Sequence, residues 1–122
     1  MRYLLELTLE GTPKPPNKLL GHSKWVKHNN AKLWKQQVRI AISRDKLPAA
    51  PLTKAKLTFV RHSYRMLDFD GLCGSMKPLA DSLTEIGVII DDRWSVTGKW
   101  DVDQKFSPKG KSFVTIKVES VD

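Results

Sequence analysis

Aspartates recur in the second half of the chain in a pattern that could support metal-assisted chemistry. Asp68 and Asp70 flank Phe69 just after a predicted strand, and a strand continuing through them would turn both carboxylates to one face. Asp91 and Asp92 follow an apolar run and supply further carboxylates. Hard divalent ions such as Mg²⁺ prefer oxygen ligands, and an ion held by aspartates can drive phosphodiester hydrolysis. The pattern is typical of a divalent-metal site and also of a solvated turn, which is the commoner interpretation of this spacing.

A lysine and a further aspartate follow the first acidic pair. Lys77 opens a predicted helix, and Asp81 lies four residues later on the same helical face. A lysine beside clustered carboxylates offsets their mutual repulsion and can stabilise charge that develops on a phosphate. The alternative is an ordinary surface ion pair. Asp101 and Asp103 have the same spacing as the first pair, but they lie within a predicted strand and are expected on its solvated face.

The two halves of the chain differ in charge. Residues 1–66 carry 14 basic and 3 acidic side chains, whereas residues 67–122 carry 7 basic and 10 acidic ones, for a total net charge of +8. Such a basic surface is typical of polyanion-binding proteins, in which phosphate contacts position nucleic acid. The alternative is a basic domain with no such partner. The side chains expected to contact DNA, on or before the first predicted helix, are Lys24, Lys27, Lys32, Lys35 and Arg39.

Length and composition exclude several classes of protein. The 122 residues suit one domain, taken as 1–122, and no apolar stretch has the length of a membrane span. Glu6 and Glu10 interrupt the N-terminal apolar run, which argues against a signal peptide. The single cysteine, Cys73, excludes an intrachain disulfide and a multi-cysteine zinc site. A reducing, cytoplasmic location is expected.

Four tryptophans are candidates for core packing or for stacking on bases. Trp34 and Trp100 fall on predicted apolar faces and are expected in the core. Trp25 lies in the basic segment and Trp94 follows the second acidic pair, which favours DNA contacts for both.

Hydrophobic periodicity predicts an α+β domain in which two main helices pack on a small mixed sheet. Strands alternate apolar and polar residues, whereas the helices carry an apolar stripe. The predicted element order is β-α-β-α-β-β. The predicted spans are a strand at 2–10, a helix at about 30–44, a strand at 54–64, a helix at about 75–86, and strands at 95–105 and 112–119.

Three boundary signals complete the predicted fold. Asn29 or Asn30 is expected to cap the first helix, because an asparagine side chain can accept from the free N–H groups of a first turn. Gly87 is expected to end the second helix in a left-handed conformation. Lys109 and Gly110 are expected to form the turn of a hairpin between the last two strands.

Three short runs in the second half resemble a known family. They are Leu67–Asp70, Lys77–Leu83 and Gly87–Asp92, and they are similar to the D-x-D-N, lysine, D-x-L and acidic-pair pattern of the RusA family of Holliday junction resolvases. The upstream Pro15–Asn17, followed by a basic segment and a helix, is also similar to the N-terminal half of that family. The resemblance spans most of the chain, and its specific part is a 25-residue run.

The resemblance implies a Mg²⁺-dependent endonuclease, for which Mn²⁺ can substitute, that resolves four-way DNA junctions by paired symmetric nicks in recombination and repair. It also implies a homodimer in a bacterial or phage-infected cell, since two sites related by a twofold axis can make two symmetric cuts. The roles carried over are metal binding and catalysis at Asp68, Asp70 and Asp92, metal binding at Asp91 as the alternative to Asp92, catalysis at Lys77 and a supporting contact at Asp81.

Two departures from the family pattern keep other functions open. Gly71 stands where the family has asparagine, and Lys77 follows Asp70 by seven residues rather than four. A glycine-bearing loop can bulge without moving its ends, so the lysine can still reach the carboxylates. One alternative is a non-catalytic protein that binds branched DNA on the same scaffold. Another is a nuclease for replication forks or flaps.

Overall fold

A computed structural model describes residues 3–13, 24–42 and 46–121, including side chains except those of residues 24–29. It confirms the α+β class. The elements in chain order are β1 (Leu4–Glu10), α1 (Lys24–Ala41), β2 (Ala55–Ser63), α2 (Phe69–Ser75), α3 (Lys77–Ile86), α4 (Trp94–Thr97), β3 (Asp101–Phe106) and β4 (Phe113–Ser120). Within these residues, no helix combines the length and apolar character needed to cross a membrane.

The four strands form one mixed sheet in the order β1-β4-β2-β3. β4 runs antiparallel to both β1 and β2, so Ile116 lies opposite Leu7 on one side and Phe59 on the other. β2 and β3 are parallel, with Phe59 opposite Val102. A parallel pair requires a long crossover connection, and α2, α3 and α4 lie within it. The segment that carries most of the candidate site is therefore the crossover between two neighbouring strands.

One face of the sheet forms the core. Alternate residues of β1, β2 and β4 point inward, as a strand with one buried face requires. Arg61 continues the buried row of β2, and its guanidinium donates to the Pro13 carbonyl oxygen over 3.3 Å. The apolar side chains of this face are Leu5, Leu7, Leu9, Leu57, Phe59, Val114, Ile116 and Val118. α1 and α3 cover them with a layer that includes Trp34, Val38, Ile42, Leu79 and Leu83.

The predicted hairpin between the last two strands is wrong. The turn itself exists, since the Lys111 N–H donates to the Pro108 carbonyl oxygen over 3.0 Å and Gly110 has a φ of 85°. However, β2 lies between β3 and β4 in the sheet. β4 buries a full row of side chains and therefore occupies a central position, whereas β3 is mostly exposed and suits an edge.

The first helix begins at Lys24, so the predicted N-cap at Asn29 or Asn30 is wrong. Neither proline nor glycine interrupts residues 24–42, and asparagine is tolerated inside a helix that tertiary packing stabilises. The predicted apolar face is confirmed, since Trp34, Val38 and Ile42 are buried. The predicted end of the helix, near residue 44, lies outside the described residues.

The segment between the acidic pair and Lys77 is helical rather than a glycine-bearing loop. α2 occupies Phe69–Ser75, and the second main helix begins at Lys77 instead of residue 75. Gly71 within α2 and Gly74 near its end mask the helical signal, because glycine is an unfavourable helix former. Burial of Leu72 in the core compensates for that cost. The predicted strand at 95–105 is also shorter, since α4 occupies its first part.

Gly87 ends α3 as predicted and redirects the chain toward the candidate site. Its φ of 98° is left-handed, and Val88 N–H donates to the Leu83 carbonyl oxygen over 3.0 Å. The pattern is a Schellman motif, which glycine allows at low strain. Directly afterwards Ile89 forms a parallel bridge with Leu52. This bridge fixes the backbone just before the second acidic pair.

Candidate active site

The crossover segment brings Lys77 and Asp92 into direct contact, although they are 15 residues apart in the sequence. Lys77 is the first residue of α3, and Asp92 follows the turn and bridge that end this helix. The Lys77 ammonium forms one ion pair with Asp92 Oδ2 and a second with Asp81 Oδ1, the latter over 3.0 Å. Asp92 has only 16% of its side chain exposed. Three of the site residues expected from the sequence are therefore joined by one ammonium group.

The ion pair fixes the charge states of both partners. Its hydrogen bond from Lys77 lowers the pKa of Asp92 below the ordinary value of 3.8, against the opposing effect of burial. The same hydrogen bond raises the pKa of Lys77 above 10.5, with Asp81 adding to the rise and burial opposing it. At neutral pH Asp92 is therefore an anion and Lys77 a cation. The lysine cation is the form that can stabilise negative charge on a bound group.

Asp91 lies beside this ion pair and has partners of its own. Its Oδ1 accepts from the Asp92 N–H over 2.7 Å, and its Oδ2 lies 3.3 Å from Arg93 Nε. Of the two consecutive aspartates, Asp92 is thus the one joined to Lys77. Asp91 faces the neighbouring groove together with Asp92.

Asp68 and Asp70 lie at the start of a helix and not on a strand. β2 ends at Ser63, so the strand does not continue through them to align both carboxylates on one face. Asp68 is the N-cap of α2, and its Oδ1 accepts from the Gly71 N–H over 2.8 Å. Asp70 lies in the first turn, where a negative charge is favoured by the helix dipole. Both carboxylates are exposed to solvent.

Asp68→Ala should lower the free energy of unfolding by about 1 kcal/mol, because the Gly71 N–H would lose its acceptor. Asp68→Asn keeps a side-chain oxygen that can cap α2 and should retain most of that stability. Urea denaturation of the two variants beside the parent chain measures the difference. Equal stability of Asp68→Ala and the parent would show that the cap contributes nothing.

Cys73 shares a cleft with Asp92 and responds to the charge of Asp70. The thiol lines a cleft that also contains Asp92. Burial raises the pKa of Cys73 above its ordinary value of 9.0, the nearby Asp70 carboxylate raises it further, and Lys99 lowers it. These influences place Asp70 and Lys99 close to the same thiol. The cleft that contains Asp92 therefore also contains a thiol that responds to the charge of Asp70.

The rate at which iodoacetamide alkylates Cys73 should change in opposite directions when Asp70 and when Lys99 lose their charge. The thiolate is the reacting form, so the rate below the thiol pKa should rise about tenfold per pH unit. Asp70→Asn removes an influence that raises the pKa and should speed alkylation at pH 8. Lys99→Met removes one that lowers it and should slow alkylation. Because Cys73 is the only cysteine, mass spectrometry of the intact chain follows the reaction directly. Shifts in the same direction for both variants would contradict this arrangement.

The donor atoms fit a hard divalent ion in chemical type, since every candidate ligand is a carboxylate. Among the described residues, these candidate ligands are spread apart. In the part of the chain that the structure describes, no three aspartate, glutamate, histidine or cysteine side chains gather closely enough to enclose a metal ion. Asp92 is neutralised by Lys77, and Asp68 is engaged by a backbone amide.

Residues of α1 and α3, together with Asp91 and Asp92, line a groove of about 600 Å³. Lys32 and Lys35 line one wall, whereas Asp81 and Asp92 line the other. Lys35 Nζ lies 2.5 Å from Glu85 Oε2, so this lysine ties the two helices together. Lys32 and Arg39 are exposed and available to an external anion. The side chains of Lys24 and Lys27, also expected to contact DNA, lie outside the described ones.

A second cleft, which the sequence did not indicate, opens on the other side of Asp92. It has a volume of about 470 Å³, and we name it the aromatic cleft for its three rings, those of Phe69, Trp94 and Trp100. Trp94 is exposed, and its contact with DNA stays a prediction, whereas Trp100 is partly buried against the core as predicted. Phe69 carried no signal in the sequence beyond its place between two aspartates. Asp92 thus borders both the groove and the aromatic cleft.

Comparison with protein-family models and with curated proteins finds no match for this chain. The fold is a two-layer α+β domain, and the site is a lysine–carboxylate network between a groove lined by both lysines and carboxylates and an aromatic cleft.

Proposed function

We propose that this chain is a structure-selective endodeoxyribonuclease that resolves four-way DNA junctions by paired symmetric nicks in recombination and repair. The observation that carries the proposal is the contact of Lys77 with Asp92 and Asp81. The resemblance to the RusA family implies catalytic roles for Lys77 and Asp92 and a supporting contact for Asp81. Lys77 and Asp81 lie one turn apart on α3, whereas Asp92 follows the helix and meets Lys77 only in the folded chain.

Lys77 acts on the phosphate in this proposal. An ammonium group has three N–H donors, and Asp81 and Asp92 engage two of them. The third donor can bind a phosphate oxygen and stabilise charge that develops on it. Asp81 and Asp92 hold the ammonium in place, because each limits the rotation of a long side chain.

The carboxylates would hold Mg²⁺, for which Mn²⁺ can substitute. The ligands would be Asp68, Asp70 and Asp92, with Asp91 as the alternative to Asp92. The bound ion would supply an activated water and neutralise charge on the scissile phosphate. The exposed Lys32 and Arg39 of α1 would bind backbone phosphates beside the groove, and such contacts weaken steeply with added salt.

The reaction favours a homodimer in the cytoplasm of a bacterial or phage-infected cell. Resolution of a junction takes two symmetric cuts in opposing strands, and a twofold dimer presents two equivalent sites. Replication forks and flaps are related substrates that share the branched geometry.

Cleavage of a synthetic four-way junction in Mg²⁺, beside the same mixture in EDTA, tests the proposal. We expect cuts near the crossover only when the metal is present. A linear duplex of the same sequence should stay intact, and fork and flap substrates in parallel show whether four-way geometry is preferred. Junction left whole at every concentration of Mg²⁺ and Mn²⁺ would contradict nuclease activity.

A second candidate is a non-catalytic protein that binds branched DNA. Two observations favour it: Lys77 neutralises Asp92, and no cluster of three potential ligands occurs within the described residues. Such a protein should bind the junction equally well in EDTA and in Mg²⁺, and Asp70→Asn should bind like the parent. Metal-dependent cuts would exclude this candidate.

A further inference from the structure

The aromatic cleft presents large rings to solvent on backbones that are held in place. Phe69 is 67% exposed and Trp94 is 74% exposed. Each is the first residue of a short helix. The Asp68 cap fixes the start of α2, and the Arg93 carbonyl oxygen accepts from the Val96 and Thr97 N–H groups over 3.0 and 3.1 Å at the start of α4. Large exposed rings on a fixed backbone are typical of binding surfaces.

Trp100 forms a fixed wall of the same cleft. Its Nε1–H donates to Thr97 Oγ1 over 2.9 Å. The edge of its ring meets Phe59 of the core, with ring centroids 5.5 Å apart and planes at 62°. The indole is therefore held in place before any ligand arrives, which lowers the entropic cost of binding.

The charges around the cleft favour a neutral planar group attached to an anion. Aromatic rings beside carboxylates could also receive a cation, but both carboxylates of this cleft already have lysine partners. Asp92 pairs with Lys77, and Asp101 Oδ2 lies 3.4 Å from Lys56 Nζ. Lys99 also lines the cleft and supplies a positive charge. A nucleobase linked to a phosphate matches this combination of stacking surface and positive charge.

We infer that the aromatic cleft receives a nucleobase that is unstacked at the crossover of branched DNA. The base stacks against Trp94 and Phe69, while its phosphate lies between Lys99 and Lys77. The inference rests on the proposed function, and it supplies a reason for structural selectivity. Bases at a branch point can leave the stack at less cost than bases inside a continuous duplex.

Abasic sites in the junction, combined with the Trp94→Ala variant, test the inference. Single tetrahydrofuran abasic sites replace each nucleotide near the crossover in turn, and fluorescence anisotropy in EDTA measures affinity without cleavage. Trp94→Ala should weaken binding of the intact junction by about tenfold, as loss of one stacked base does. One abasic position should weaken binding of the parent chain similarly. At that position the variant should lose no further affinity, because both changes remove the same contact.

Phe106→Ala is the matched control. Phe106 is an aromatic residue of similar exposure, 63%, that lies outside the cleft, so its replacement should leave junction affinity unchanged. Additive losses at every abasic position, or parent-like binding by Trp94→Ala, would overturn the inference. If the parent chain still binds and cuts the junction in that case, the proposed nuclease survives without the base-binding cleft. If the parent chain binds no branched DNA, both proposals fall.

Discussion

Asp92→Asn should lower the rate of junction cleavage by at least about 100-fold, the upper end of what loss of a residue supporting a metal site costs. Asparagine keeps the shape of the side chain and removes the negative charge that pairs with Lys77. The variant loses both a candidate metal ligand and the anchor of the ammonium group. Single-turnover cleavage of an end-labelled four-way junction, at saturating protein, measures the chemical step separately from binding.

Asp103→Asn is the matched control for that experiment. It makes the same chemical change at an exposed residue on β3, outside both the groove and the aromatic cleft. This variant should cleave at the parent rate. Junction affinity of Asp92→Asn, measured in EDTA, should equal or exceed that of the parent, because a negative charge near the DNA is removed. Cleavage by Asp92→Asn at the parent rate would exclude Asp92 from the site.

Phe59→Ala should lower the free energy of unfolding by about 3–5 kcal/mol, the usual cost of deleting a buried aromatic ring. Phe59 is fully buried and lies opposite Ile116 in β4 and Val102 in β3. Its ring also supports Trp100. The substitution should therefore lower stability and also disturb the Trp100 wall of the aromatic cleft.

Urea denaturation measures this loss, again with Phe106→Ala as the control. The Phe106 ring is largely exposed and lies beside the exposed Tyr64 ring, with centroids 5.8 Å apart. Its removal should change stability by less than about 1 kcal/mol. A Phe59→Ala protein as stable as the Phe106→Ala protein would contradict the assignment of Phe59 to the core.

The sequence predicted those elements whose burial is periodic. β1, β2 and β4 each bury every second residue, so their alternation of apolar and polar side chains is visible in the sequence. α3 carries a strong apolar stripe and ends at Gly87, a residue type that commonly terminates helices. In these segments local preference and tertiary packing agree, and the predictions are confirmed.

The failed predictions concern features that depend on distant parts of the chain. α2 contains Gly71 and is stabilised by a cap from Asp68 and by burial of Leu72, neither of which follows from helix propensity. The position of β3 beside β2 is set by the crossover, whereas a short turn between consecutive strands favours a hairpin locally.

The predictions about the candidate site succeeded and failed for the same reasons. The types and order of its residues were visible in the sequence, and the resemblance selected Asp92 over Asp91 from its interval to Lys77. The contact between Lys77 and Asp92 depends on the turn at Gly87 and the bridge of Ile89 to Leu52, which are tertiary features. The aromatic cleft joins two separate segments, 69–73 and 92–102, and had no sequence signature.

Product mapping on a four-way junction tests the central claim most directly. Each strand is end-labelled in turn, and the purified chain is incubated with the junction in Mg²⁺ beside the matching linear duplex and beside Asp70→Asn. We predict paired cuts at symmetric positions near the crossover, an intact duplex, and intact junction with the variant. Tight junction binding without cuts, equal for the parent chain and Asp70→Asn, would contradict the nuclease and identify a protein that only binds branched DNA.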